Sequence, residues 1–64
     1  MLVNGLEVAL DGIQTLKGFL EREGYIIDRV AVEKNGSIIP KTRYATEPLG
    51  DGDRLEVVAF VGGG

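Results

Sequence analysis

Leu49-Gly50-Asp51-Gly52-Asp53-Arg54-Leu55-Glu56-Val57-Val58-Ala59-Phe60-Val61-Gly62-Gly63-Gly64 is the stretch that decides the fold. A turn at Asp51-Gly52-Asp53 opens it. From Arg54 to Val61 the residues then alternate with the period of a strand: Leu55, Val57, Ala59 and Val61 share one face, and Arg54, Glu56, Val58 and Phe60 the other. The first, apolar set is expected to face a helix. The second set is polar at its start and apolar at its end, so Val58 and Phe60 point away from that helix. They have two readings: with Val61, a patch that binds a partner protein, or side chains covered by a loop.

Working back from this strand, Leu16, Phe19 and Leu20 fall at i, i+3 and i+4, one face of a helix over about 15–23. Thr15 is placed to cap its start, and Gly24 stands where a left-handed residue ends it. Gly18 costs the helix about 1 kcal/mol relative to alanine, so either the helix packs closely on the sheet there or it is weak. Before the helix, Leu6, Val8 and Leu10 alternate with Glu7, Ala9 and Asp11 after an Asn4-Gly5 turn, predicting a hairpin over about 1–10. After the helix, 25–34 reads as a strand, with Val30 and Val32 on one side. A second tight turn at Asn35-Gly36 returns it along Ser37-Ile38-Ile39. Pro40 ends that piece, and 41–49 fits an irregular or single-turn crossover.

The order predicts an α+β domain over 1–61, a mixed sheet of about five strands with one main helix on one face, followed by a flexible glycine tail at 62–64. At 64 residues the core is thin. Its 44% apolar and 27% charged residues support a compact fold.

Composition removes several function classes. There is no Cys and no His, hence no disulfide, no thiolate metal site and no imidazole base; no metal-binding residues and no catalytic residues are assigned. Seven basic residues are scattered among ten acidic ones, for a net charge of −3, so no basic stripe offers itself to nucleic acid. The acidic balance suits docking on a basic protein partner, and equally suits plain solubility. No apolar run approaches the roughly 20 residues of a membrane span, and no secretory signal opens the chain, which reads as cytoplasmic. Asp51 and Asp53 around Gly52 are read as turn chemistry, and Tyr25 and Tyr44 as structural.

The ending Val61-Gly62-Gly63-Gly64 carries the chemistry. Extended, it reaches roughly 13 Å at about 3.3 Å per residue, and its glycines can pass a channel too narrow for side chains. A terminal carboxyl with a reference pKa of about 3.3–3.7 is an anion at neutral pH, able to attack the α-phosphate of ATP and form an acyl-adenylate. Taken alone, three glycines are as readily a frayed tail or a cloning remnant.

The whole chain resembles the ThiS family of ubiquitin-like, β-grasp sulfur carriers. The resemblance rests on Leu2-Val3-Asn4-Gly5, on Val30-Ala31-Val32-Glu33-Lys34-Asn35, on Ile39-Pro40, and above all on 49–58 leading into Phe60-Val61-Gly62-Gly63-Gly64. It implies that a ThiF-type enzyme uses ATP to adenylate the Gly64 carboxylate. Sulfur from a donor protein then displaces AMP, leaving a thiocarboxylate that feeds thiazole synthase in thiamine assembly. Gly64 is then the modified residue, Gly63 and Gly62 its tail, and the protein a cosubstrate that binds no cofactor itself. Two rivals share the tail: a MoaD-type carrier for molybdopterin synthesis, usually longer and ending in two glycines, and a modifier joined to lysines of target proteins.

Overall fold

A computed structural model describes residues 1–60. Five strands form one mixed sheet: β1 (Leu2–Val3), β2 (Leu6–Glu7), β3 (Val30–Lys34), β4 (Ser37–Ile39) and β5 (Arg54–Ala59), in the spatial order β2-β1-β5-β3-β4. β5 lies at the centre, parallel to β1 and antiparallel to β3, and both hairpins are antiparallel. One helix, α1 (Leu16–Arg22), covers one face, as the sequence predicts.

The helix buries Leu16, Phe19 and Leu20 almost completely, against the inward row that includes Val3, Val30, Val32, Leu55 and Val57. Full burial of such side chains stabilises by about 1.5–3 kcal/mol each, so the three together supply most of what fixes the helix. Both ends are closed locally. Thr15 Oγ1 accepts from the Gly18 amide at 3.2 Å. At the other end Gly24, at φ +81°, donates to Glu21 O, and Tyr25 donates to Leu20 O: a Schellman closure.

The segment expected to be irregular, 41–49, contains a 3₁₀ turn at Lys41–Arg43 and does something the sequence does not announce. The carbonyls of Glu47 and Tyr44 accept from the amides of Leu16 and Lys17, both at 2.9 Å. With the Thr15 side chain and carbonyl taking Gly18 and Phe19, all four first-turn donors of α1 are satisfied. Tyr44 is buried beneath this segment with its hydroxyl 3.4 Å from Val30 O, and burial raises its pKa.

Three expectations are corrected and one open alternative, at Gly18, is decided. The strand over 25–34 starts only at Val30, because Tyr25 is committed to the helix closure and Ile27–Arg29 forms a 3₁₀ turn in which Arg29 N donates to Ile26 O. The 1–10 hairpin holds two-residue strands, its pairing continued only by Val8 N donating to Met1 O; Leu10 is buried while Leu6, on the edge strand, is exposed. β5 ends at Ala59, and Ala59 is exposed rather than under the helix. Gly18 is not pressed on the sheet: a Cβ there would meet Thr15 Oγ1 at 3.3 Å and Ile13 Cγ2 at 3.6 Å, so its crowding comes from the capping loop.

Candidate functional site

The site is built at the far end of β5, where the chain leaves the sheet. β5 is held on both flanks, by a five-pair register with β3 and a two-pair register with β1. Two further contacts extend this grip toward the exit. Past the last paired residue, Phe60 N donates to Arg29 O at 2.7 Å.

On the β1 flank, Asn4 takes over where that short strand stops. Its side-chain amide donates to Val57 O at 3.1 Å and accepts from Val57 N at 2.8 Å, the two bonds that another strand residue would make. Asn4 sits at φ +51° and Gly5 at +84°, the paired left-handed conformation of a tight hairpin turn. Sequence reasoning read Asn4-Gly5 as a turn alone. The dipeptide does two tasks, and only the asparagine side chain can reveal the second.

Val58 and Phe60 are 58% and 55% exposed, and among the described residues no loop covers them. Val58 lies on the sheet face opposite the helix, cross-strand from half-buried Ala31. Phe60 forms one side of a groove of roughly 270 Å³, with Tyr25, Ile26, Arg29, Val30 and Ala59. The sequence did not single out Ile26 or Ile38. They are 61% and 77% exposed. β-Branched residues in or beside strands look like core residues until the register assigns Ile38 to the outer face and the 3₁₀ turn leaves Ile26 outside the sheet.

The groove offers Arg29 and Tyr25 as its titratable side chains, with apolar surface around them, so it is suited to docking. No group of three or more His, Cys, Asp or Glu suited to a metal occurs among the described residues. The candidate residues Val61, Gly62, Gly63 and Gly64 lie outside the described residues.

At the opposite end of β5, the Asp51-Gly52-Asp53 turn behaves as turn chemistry. Asp53 accepts from Gly50 N at 2.8 Å and from Asn35 Nδ2 at 3.0 Å, and Asn35 Oδ1 accepts from Arg54 N. Asn35, the Gly50 amide and Lys34 hold the Asp53 carboxyl below its usual range despite partial burial. Lys34 also reaches Glu47 at 3.0 Å, and Arg43 reaches the other oxygen of Glu47 at 3.0 Å. These partners, Arg43 first, depress the Glu47 pKa. The network ties the two turns to the 41–49 segment and fixes where β5 begins.

No helix among the described residues is long and apolar enough to cross a membrane. The family model described as the ThiS family matches residues 1–64. A protein named thiazole synthase from Paramagnetospirillum magneticum is 42% identical over all 64 residues, and one from Magnetococcus marinus is 40% identical over 50 residues, 78% of this chain. The matches span 20% and 15% of those two proteins, which are much longer than this chain. The crystal structure of the thiamine biosynthesis protein ThiS from Geobacter metallireducens superimposes with a TM-score of 0.79 at 29% identity, covering 98% of this chain and 96% of that one.

Proposed function

The chain belongs to the ThiS family, and from that premise we propose that it is a sulfur carrier of thiamine biosynthesis whose working group is the terminal carboxyl of Gly64. A ThiF-type enzyme binds the carrier and ATP; the Gly64 carboxylate attacks the α-phosphorus and pyrophosphate leaves. The outer sulfur of a donor protein's persulfide then attacks the acyl carbon and displaces AMP, giving an acyl disulfide; a second thiol attacks the donor's sulfur, forming a disulfide there and releasing the thiocarboxylate, which supplies sulfur to thiazole synthase. The carrier is consumed and regenerated as a cosubstrate, ATP belongs to the partner enzyme, and the setting is the cytoplasm. The division into a folded domain over 1–61 and a tail over 62–64 is part of the same proposal.

The observation that carries the reading is the placement of β5. A central strand, paired on both sides and pinned at Asn4 and Arg29, leads into Val61-Gly62-Gly63-Gly64. A fixed body with a terminal carboxyl on a side-chain-free lead suits entry into another protein's active site. Thiazole synthase as acceptor is supported by the two relatives of that name, each containing a segment similar to this chain.

The test is intact mass after incubation with ATP, sulfide and a ThiF-type enzyme, comparing the full chain with one lacking Gly63 and Gly64. Exchange of one oxygen for sulfur on the full chain alone is expected. No change, with the enzyme active on another carrier, refutes the proposal.

A further inference from the structure

The inward row of β5 runs Leu55, Val57, Ala59, and its cover ends before the row does. Leu55 and Val57 are buried, whereas Ala59 is exposed. At Ala59 the groove of roughly 270 Å³ opens over the cross-strand pair of Ala59 and Val30. Tyr25 and Ile26, which leave the end of α1, form its other wall. Apart from Arg29 and the Tyr25 hydroxyl its lining side chains are apolar, and Ile26, Ala59 and Phe60 are exposed there.

Chain continuity names an occupant. Past Ala59 the ladder is carried one residue further, because Phe60 N donates to Arg29 O at 2.7 Å. Side chains of a strand alternate between its faces, so the residue that follows Ala59 in the inward row is Val61, about 7 Å further along at about 3.3–3.4 Å per residue. From there a branched side chain lies diagonal to Val30, within reach of the groove.

We propose that the Val61 side chain fills this groove, so that the fixed body ends at Val61 and the free lead is Gly62-Gly63-Gly64 alone. Valine has one stiff side-chain torsion and gives up little freedom on docking, while it gains the burial of an aliphatic group. Each glycine after it gives up more backbone freedom than any other residue and has no side chain to bury. The clasp therefore closes on Val61 and stops there.

The clasp is a property of this chain, and its use rests on the carrier reading. Every residue between the fixed body and the reacting carboxyl must be ordered when the terminus enters an active site. Holding Val61 in advance removes one residue from that number. Val61 is thereby a positioning residue, turned to the helix side, on the face opposite Val58.

The experiment is nuclear magnetic resonance on the full chain with isotope-labelled valine methyls, followed by kinetics. Overhauser contacts are expected from the Val61 methyls to the Tyr25 ring and the Ile26 side chain. The backbone order parameter is expected to stay near the rigid value of about 0.85 at Val61 and to fall below about 0.6 by Gly63. Thiocarboxylate formation by a ThiF-type enzyme is then measured for Val61→Ser, Ile26→Ser, the double variant and Val61→Ile. Each serine variant is expected to lower kcat/KM about fivefold to thirtyfold, the effect of ordering one more residue, with its denaturation midpoint unchanged. The double variant is expected to be no worse than either single, since both undo the same contact, and Val61→Ile to keep the wild-type rate.

Absence of contact between the Val61 methyls and both Tyr25 and Ile26 overturns the proposal. Wild-type kinetics in the serine variants overturn the positioning role, as do losses that multiply in the double variant, which would mean that the two residues act separately. A wild type that shows the contacts but forms no thiocarboxylate leaves the clasp standing and defeats the carrier reading instead.

Discussion

Replacing Asn4 tests whether one side chain holds the exit strand in place. Its amide makes two bonds to the Val57 backbone, at 3.1 and 2.8 Å, on the flank where β1 has ended. Each such bond contributes about 0.5–1.5 kcal/mol net, so Asn4→Ala and Asn4→Gly both lose about 2 kcal/mol from this source. The backbone adds a second cost that differs between them. Asn4 sits at φ +51°, where alanine is strained by about 1–2 kcal/mol, whereas glycine is at ease there and loses under about 1 kcal/mol through a freer unfolded chain. A domain this size has roughly 3–10 kcal/mol in all, so Asn4→Ala should remove about 3–4 kcal/mol of it, and Asn4→Gly somewhat less. Urea denaturation measures both losses. Amide hydrogen exchange in Asn4→Gly should show Val57 losing protection beyond the global change, while the backbone amide of residue 4, which still donates to Leu55 O, keeps its rank. Either variant within about 0.5 kcal/mol of the wild type, or Val57 still among the most protected amides, would refute the reasoning.

Three other outcomes follow from the same contacts. Glu47 and Asp53 have folded pKa values held below the usual carboxylate range, so their contribution is fully present above about pH 5 and is lost as pH falls through the depressed folded values; the urea midpoint should drop from about pH 6 to about pH 3, and drop less in Glu47→Gln. Gly18→Ala should change stability by less than about 0.5 kcal/mol, because about 1 kcal/mol of helix propensity is opposed by a Cβ 3.3 Å from the capping hydroxyl of Thr15; a thermal melt showing the full gain would mean that the hydroxyl moves freely. Phe60→Ser, at a side chain already 55% exposed, should leave the denaturation midpoint within about 0.5 kcal/mol while raising KM for activation severalfold; an unchanged KM removes Phe60 from the docking surface.

Most of the architecture was legible because its signals are local. The spacing of Leu16, Phe19 and Leu20, the cap at Thr15 and the left-handed Gly24 fix a helix with no help from the rest of the chain. Asn35-Gly36 fixes a hairpin in the same way. The errors lie where a distant partner decides. Nothing near Tyr25 says that its amide closes a helix five residues back, and β-branching at Ile26 and Ile27 then resembles a strand. Residues 41–49 carry no period because their order comes from carbonyls that accept the amides at the start of α1 and from the Glu47 carboxylate and the Pro48 carbonyl, which accept from Lys34. The outward face of β5 was readable as Val58 and Phe60, yet the acidic pair was not. Glu33 and Glu56 are 23 positions apart in sequence, and only the pairing register sets them opposite each other.

That register also explains how the sheet tolerates a repulsive pair. Successive residues of β5 alternate between the helix and solvent, so a slip of one position would bury Glu56 and Val58 and expose Leu55 and Val57. Relieving the Glu33–Glu56 repulsion by such a slip would sacrifice two buried aliphatic side chains, each stabilising by about 1.5–3 kcal/mol, to remove a cross-strand penalty of at most about 1 kcal/mol. The Asn35 side-chain bonds to Asp53 and to the Arg54 amide at the start of β5, and those of the Asn4 side chain to Val57, would also break. The inner face therefore dictates the register, and the outer face follows it. Neutralising both glutamates, in a Glu33→Gln/Glu56→Gln double variant, should accordingly leave unchanged which residues face outward, and the exchange pattern of its β5 amides should match that of the wild type.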